Sequence, residues 1–148
     1  MKINNPAFGE IEIDDGGVIQ FPEGMLGLPQ NKRYVIVKDP QMEPFLRLQC
    51  VDQPQISFLT IDPANAASDY KDYVVAQDPE RVLLDRAEEI VLLVVCTVTP
   101  DRTDITCNLQ APVVINHKTM EGKQIVLIDS PYSISHSLIK NAQQQRGA

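Results

Sequence analysis

The sequence of 148 residues has no tryptophan, two histidines and only 5% aromatic residues. Few aromatic rings leave little surface on which single-stranded nucleic acid could stack its bases. Basic residues are also outnumbered, because 13 Lys and Arg stand against 20 Asp and Glu and give a net charge of −7. A surface of this charge does not collect phosphates along a nucleic acid backbone. These shortages argue against direct binding of DNA or RNA.

Cysteine is sparse as well. Cys50, Cys96 and Cys107 are odd in number and form no Cys-x-x-Cys pair, and no charged segment precedes an apolar run at the start. This pattern is typical of a reduced, cytoplasmic protein. The longest apolar run, Ile90 to Val98, is much shorter than the ~20 residues of a membrane span. The sequence therefore predicts no membrane segment, and this run is expected to be a buried strand.

What the sequence does contain is β-rich segments separated by 11 prolines and 7 glycines, with 43% hydrophobic residues overall. We predict a mainly β protein, a single-domain small β-barrel or roll of about eight to ten strands with one or two short helices. The domain is expected to span residues 1–136. Residues 137–148 offer little to bury and are expected to form a flexible C-terminal tail.

Several strands follow from alternation and from turn residues. Phe8–Ile13 alternates apolar and acidic residues, Asp14–Gly17 can turn, and Val18–Phe21 is expected to return as the second strand of a hairpin. Ile90–Thr99, which is apolar on both faces, is the predicted central strand. Further strands are expected over Tyr34–Val37, Pro44–Val51, Ile56–Ile61, Tyr73–Val75, Ile105–Leu109, Val113–Asn116 and Gln124–Ile128.

Two short helices are predicted. Asp78 is a good N-cap and Pro79 suits the first helical position, which predicts a helix near residues 78–86. Ile134, Leu138 and Ile139 have helix-compatible spacing in the C-terminal segment.

The sequence contains no clear catalytic constellation. His117 and His136 lack a second His or Cys at metal-ligand spacing, so we expect no metal and no cofactor. Cys107 and His117 are a formal nucleophile and base, but a cysteine in an apolar strand is more often a packed hydrophobic residue. A binding protein is therefore expected. The alternative is a small hydrolase or isomerase that uses Asp or Glu with His136.

Four segments resemble, in order and spacing, the flagellar assembly factor FliW family: Phe8–Ile13, Ile19–Gly24, Asn108–Asn116 and Gly122–Leu127. Phe45–Pro63 is similar too, so the resemblance covers about residues 2 to 136. It implies a small β-barrel and a cytoplasmic bacterial protein that binds flagellin and, alternatively, the translational regulator CsrA. By holding CsrA, such a protein relieves repression of flagellin mRNA.

The acidic, aromatic segment Asp69–Tyr73 interrupts the strand pattern and is a candidate for binding the regulator. Tyr70 and Tyr73 with the flanking Asp69 and Asp72 suit a hot spot with a polar rim. The alternative is a solvated loop with a structural tyrosine. Lys71 stands where the family frequently has a carboxylate.

Two further groups are candidates for partner binding. The segment that contains Phe21, Met25 and Leu26 offers an apolar groove for a flagellin helix, or simply closes one end of the barrel. Asn108 and Asn116 bracket Pro112, where they are expected to hydrogen-bond irregular backbone or to contact a ligand.

Overall fold

The computed structural model describes residues 1–77 and 89–139, and these residues are mainly β-structure. The prediction of a mainly β fold is confirmed. The chain order is β1 (Lys2–Asn5), β2 (Gly9–Glu12), β3 (Ile19–Gln20), β4 (Arg33–Lys38), β5 (Leu46–Cys50), β6 (Ser57–Ile61), α1 (Tyr70–Gln77), β7 (Ile90–Val98), β8 (Ile105–Cys107), β9 (Val113–Asn116), β10 (Glu121–Gln124) and β11 (His136–Ser137).

Seven of these strands close into a ring, as the barrel prediction requires. The order is β7-β6-β5-β4-β3-β10-β9, and β9 then pairs back onto β7. Within the ring, β3 and β10 are parallel and the other pairs are antiparallel. Strands β8 and β11 extend the sheet from β7, while β1 and β2 form a separate hairpin.

Strand β7 is the central strand, as predicted. Its first residues, Ile90–Leu93, pair with β9, and its last, Cys96–Val98, pair with β8 on the same side. Strands β8 and β9 therefore behave as one strand interrupted by the segment Asn108–Pro112, which we call the kink. Pro112 cannot donate to a strand ladder, which accounts for the interruption.

The ring encloses one core, and two further cores lie outside it. The inner core contains Phe21, Tyr34, Leu48, Leu93 and Ile115 among others. The outer core packs α1 and the C-terminal segment against β7, β8 and β9, and it includes Tyr70, Val74, Leu92, Leu109 and Val114. The third core is smaller and joins the β1–β2 hairpin to the outer face of β4 through Ile3, Ile13 and Val35.

The predicted pairing of the first hairpin is wrong. Strand β2 pairs with β1, because this register sets Ile3 opposite Ile11 and lets Ile3 and Ile13 pack on β4. Strand β3 pairs instead with β4 and β10. The residues between them form a short 3-10 turn over Asp15–Gly17, in which the Asp14 side chain caps the backbone N–H of Gly16.

Other element predictions also change. The predicted Tyr73–Val75 strand lies in α1, because Tyr70 and Val74 are four residues apart and bury the same helical face. In the C-terminal segment, His136–Ser137 is a strand that pairs with the edge of β8, Ile139 is helical, and the residues after it lie outside the described residues. The last predicted strand ends at Gln124 rather than Ile128. The helix predicted near residues 78–86 lies outside the described residues.

Candidate functional site

A cleft of about 330 Å³ opens at one end of the barrel. Strand β7 continues past the ring at this end, so residues of β6, β7 and β8 that point toward the inner core become accessible there. We call this cleft the mouth cleft. Its lining residues are Met25, Leu26, Phe58, Val95, Thr97, Thr106, Asn108, Gln124 and Ile134.

One wall of the mouth cleft is the loop Pro22–Pro29, which is tightly held. Gly24 has φ of +67°, and a Cβ there would lie 2.3 Å from the backbone oxygen of Leu28, so glycine is required. Met25 is 2% exposed and anchors the loop, whereas Leu26 is 53% exposed. The N–H of Leu26 donates to Gln124 Oε1 at 3.0 Å. These contacts hold the loop in one conformation, with Leu26 exposed at the rim of the mouth cleft.

The kink supports the opposite wall. Asn108 Oδ1 accepts from the N–H of Gln110 at 3.0 Å, as expected for an asparagine that stabilises irregular backbone. Gln124 Nε2 donates to Ala111 O at 3.0 Å, so Gln124 links the kink to the loop Pro22–Pro29 by hydrogen bonds.

None of the nine residues that line the mouth cleft carries a formal charge. Its polar groups are the amides of Asn108 and Gln124 and the hydroxyls of Thr97 and Thr106. Within the described ranges, no hydrogen bond engages these hydroxyls or Asn108 Nδ2. Apolar walls with a few unengaged polar groups are the usual composition of a binding site, and barrel mouths are a usual location.

The acidic, aromatic segment has a different structure from the predicted loop. It begins α1, and Tyr70 is fully buried, with its hydroxyl donating to Leu109 O at 2.5 Å. Burial in the outer core raises the pKa of Tyr70 well above its usual value. The rings of Tyr70 and Tyr73 lie edge-on to Tyr132, with centroids 4.9 and 5.1 Å away. Tyr70 is thus a structural tyrosine, and the exposed residues here are Asp69, Lys71 and Asp72.

Beside α1 lies a second cleft, of about 380 Å³, which we call the acidic cleft. Asp62 and Asp72 flank it, and Lys71 reaches across it so that Nζ donates to Ile90 O at 3.0 Å. Its lining residues are Asp62, Pro63, Ala64, Ala67, Ser68, Lys71, Asp72, Ile90, Val91 and Leu92.

The structure separates the predicted site residues into exposed and buried sets. Leu26, Asn108, Asp69 and Asp72 reach a cleft or the surface, and Tyr73 is half-buried. Four other candidate residues are buried: Phe21, Met25, Tyr70 and Asn116. Met25 nevertheless lines the mouth cleft, and the part of these residues in partner binding stays a prediction. Asn116 caps the β9–β10 turn, where its Oδ1 accepts from the backbone of Lys118 and Thr119.

Sequence reasoning missed most of the mouth cleft. Phe58, Thr97, Thr106 and Ile134 come from four separate segments, and only barrel closure brings them together. One signal was present in the sequence. Val95 and Thr97 continue the face of β7 that carries Leu93, and the change from apolar to hydroxyl side chains marks where that face leaves the core.

The thiols are not placed for nucleophilic chemistry. Cys107 is buried, which raises its pKa to about 11, and burial likewise raises the pKa of Cys96 to about 12. Cys107 lies opposite Cys96, while His117 lies opposite Glu89, seven residues away along the same strand. At ~3.3 Å per residue this separation is about 23 Å. The formal Cys107–His117 dyad is therefore not assembled.

Two further absences concern metals and membranes. In residues 1–77 and 89–139, no group of three or more His, Cys, Asp or Glu side chains is placed to hold a metal ion. No helix in these same ranges has both the length and the apolar character needed to span a membrane.

Comparison with known proteins gives a consistent result. The FliW protein family model matches residues 2–138. Flagellar assembly factor FliW of Natranaerobius thermophilus is 40% identical over 150 residues, covering all of this chain and 99% of the relative. The FliW of Geobacter sulfurreducens is 36% identical over 146 residues, covering 99% of this chain and 91% of the relative. A crystal structure of the flagellar assembly factor FliW superposes with a TM-score of 0.78 at 31% identity, covering 93% of this chain and 96% of that one. The chain therefore belongs to the FliW family of flagellar assembly factors.

Proposed function

We propose that this protein is a non-enzymatic assembly factor that binds flagellin and, alternatively, the translational regulator CsrA. By holding CsrA it relieves repression of flagellin mRNA translation, and newly made flagellin competes for the factor. Family membership supports a role in flagellar assembly. The observation that carries the two-partner form is the presence of two clefts of different character, one uncharged and one flanked by carboxylates.

We assign the mouth cleft to flagellin. Leu26 and Ile134 are 53% and 62% exposed at its rim, and Phe58 and Val95 form its floor. Apolar anchors around an uncharged groove suit the apolar face of an amphipathic helix. Burying one such side chain contributes about 1.5–3 kcal/mol, enough to make it a hot spot.

We assign the acidic cleft and the exposed face of α1 to CsrA. A protein that binds RNA presents basic surface to phosphates, so an acidic partner attracts it electrostatically. Asp62, Asp69 and Asp72 are all exposed on this side, and the whole chain carries a net charge of −7. The factor would then influence RNA through the regulator and would not bind nucleic acid directly.

The proposal also places the protein in the cytoplasm, where flagellin is translated, and it requires neither a cofactor nor a membrane. The competing function is a small hydrolase or isomerase that uses a carboxylate with His136. Such an enzyme has no reason to retain either partner.

Size-exclusion chromatography of the protein with CsrA, with and without added flagellin, tests the proposal. We expect the protein to co-elute with CsrA. Added flagellin is expected to dissociate this complex and to form a complex with the protein in its place. Co-elution with neither partner would overturn the proposal, and co-elution with both in one complex would overturn the alternative-binding form of it.

A further inference from the structure

One side of β7 is partly unpaired. Strand β6 pairs with β7 only at Val94, Val95 and Cys96, after which the chain leaves the sheet into a 3-10 turn over Pro63–Asn65. In the described ranges, the first residues of β7 are paired with β9 alone. The other edge of this half of β7 faces the acidic cleft, which Ile90, Val91 and Leu92 line.

The direction of the free backbone groups follows from the ladder. The N–H of His117 donates to Glu89 O at 3.0 Å, so residue 89 faces β9. Because residues alternate along an antiparallel ladder, the N–H and C=O groups of Ile90 and Leu92 face the opposite side, into the cleft. Lys71 Nζ reaches Ile90 O from that side, which agrees with this direction.

Lys71 thus supplies to Ile90 O the hydrogen bond that a neighbouring strand would supply. No described strand takes the corresponding place at Leu92, whose N–H and C=O face the same opening. Unpaired strand edges are templates on which extended segments add. A cleft of about 380 Å³ lies within the size range of sites that hold small ligands, so a short segment has room there.

We propose that the acidic cleft is a strand-addition site for an extended, basic segment of a partner protein. Its backbone would pair with Ile90 and Leu92 and displace the Lys71 ammonium from Ile90 O. Its basic side chains would meet Asp62 and Asp72, the two carboxylates that flank the opening. The inference rests on the proposed function only in naming the basic regulator as the source of that segment.

The charges that line the acidic cleft favour a basic segment. Two of the lining residues are acidic and one is basic, and that one, Lys71, is the group the segment displaces. The carboxylates are then left to pair with the cations of the incoming segment. Among the described residues that line the mouth cleft none is ionised, so that cleft offers no matching charge to a basic segment.

The probe is a six-residue peptide of alternating lysine and valine, titrated into the isotope-labelled protein and followed by NMR. We expect shifts and slowed hydrogen exchange at the amide of Leu92. A matched peptide with N-methyl groups on alternate amides is expected to bind about tenfold more weakly, as for loss of one or two hydrogen bonds. Shifts centred on another strand edge, or equal affinity for the two peptides, would overturn the proposal.

Variants of the protein sharpen the test. Lys71→Met is expected to strengthen peptide binding because it removes the competing donor and one positive charge. Asp72→Asn is expected to weaken binding severalfold and to reduce its salt dependence, whereas Glu121→Gln, at an exposed position of β10, leaves it unchanged. An unchanged affinity in both Lys71→Met and Asp72→Asn would contradict the site. Because neither flagellin nor CsrA takes part, this result and that of the partner experiment can fail separately.

Discussion

The hydroxyl of Tyr70 donates to the backbone oxygen of Leu109 at 2.5 Å, across the boundary between α1 and the kink. The bond is buried, and Leu109 in turn donates its N–H to Ser133 O. The kink is thus hydrogen-bonded to α1 through Tyr70 and, through Gln124, to the loop Pro22–Pro29. The two proposed partner surfaces rest on one short backbone segment.

Two tyrosine-to-phenylalanine substitutions should have different effects. Tyr70→Phe removes the donor to Leu109 O and is expected to destabilise the protein by about 1–2 kcal/mol. Tyr34→Phe should be neutral or stabilising, because the buried Tyr34 hydroxyl has no hydrogen-bond partner among residues 1–77 and 89–139. Urea unfolding of both variants measures the difference. Equal destabilisation by the two would contradict this distinction.

Close packing of Phe21 against β10 makes Gly122 sensitive to substitution. A Cβ on Gly122 would lie 2.7 Å from Phe21 Cζ, and Phe21 is fully buried against Tyr34. Gly122→Ala is therefore expected to destabilise the barrel by about 1–3 kcal/mol. Gly17→Ala is the matched control, because a Cβ there meets nothing within 4 Å. Thermal unfolding should show a lower midpoint for the Gly122 variant alone.

The barrel should lose stability in alkaline solution. Burial raises the pKa of Cys107 to about 11 and that of Tyr34 to about 12, from ordinary values of 9 and 10. The folded state therefore holds these protons more tightly than the unfolded chain does. This contribution is complete below pH 9 and is lost as the pH rises through 9 to 12, by at most about 1.4 kcal/mol per pH unit for each group.

The measurement is the free energy of unfolding in urea at pH 8, 9.5 and 10.5. Tyr34→Phe should flatten the decline above pH 10, and Cys107→Ala should flatten it above pH 9. A wild-type free energy that stays constant from pH 8 to 10.5 would count against the buried, protonated groups.

The sequence predicted individual strands better than their partners. Alternation and apolar runs located β4, β5, β6, β7 and β9, because these signals come from each strand's own burial. Pairing depends on other segments of the chain. The partner of β2 is the four-residue strand β1, in which Ile3 is the one buried apolar residue and Asn5 is the one buried polar residue. A pattern this short gives little signal before the hairpin packs on β4.

The candidate site shows the same division. Asp69 and Asp72 could be identified as exposed charges from local composition. Tyr70 could not be assigned to the interior, because its burial depends on Leu109, 39 residues away. Similarly, the mouth cleft forms because β7 extends beyond the strands that close the ring. This arrangement depends on barrel closure, so no single segment of the sequence predicts it.

The most direct test of the two-surface account measures the affinity of two variants for both partners. Leu26→Ser should weaken flagellin binding at least about tenfold through lost burial and leave CsrA binding unchanged. Asp72→Lys should do the reverse, with a reduced salt dependence for CsrA. Ile128→Ser, exposed by 73% outside both clefts, and Glu121→Lys are the controls and should alter neither affinity. If each variant instead weakens both partners equally, or neither, the assignment of one cleft to each partner is wrong.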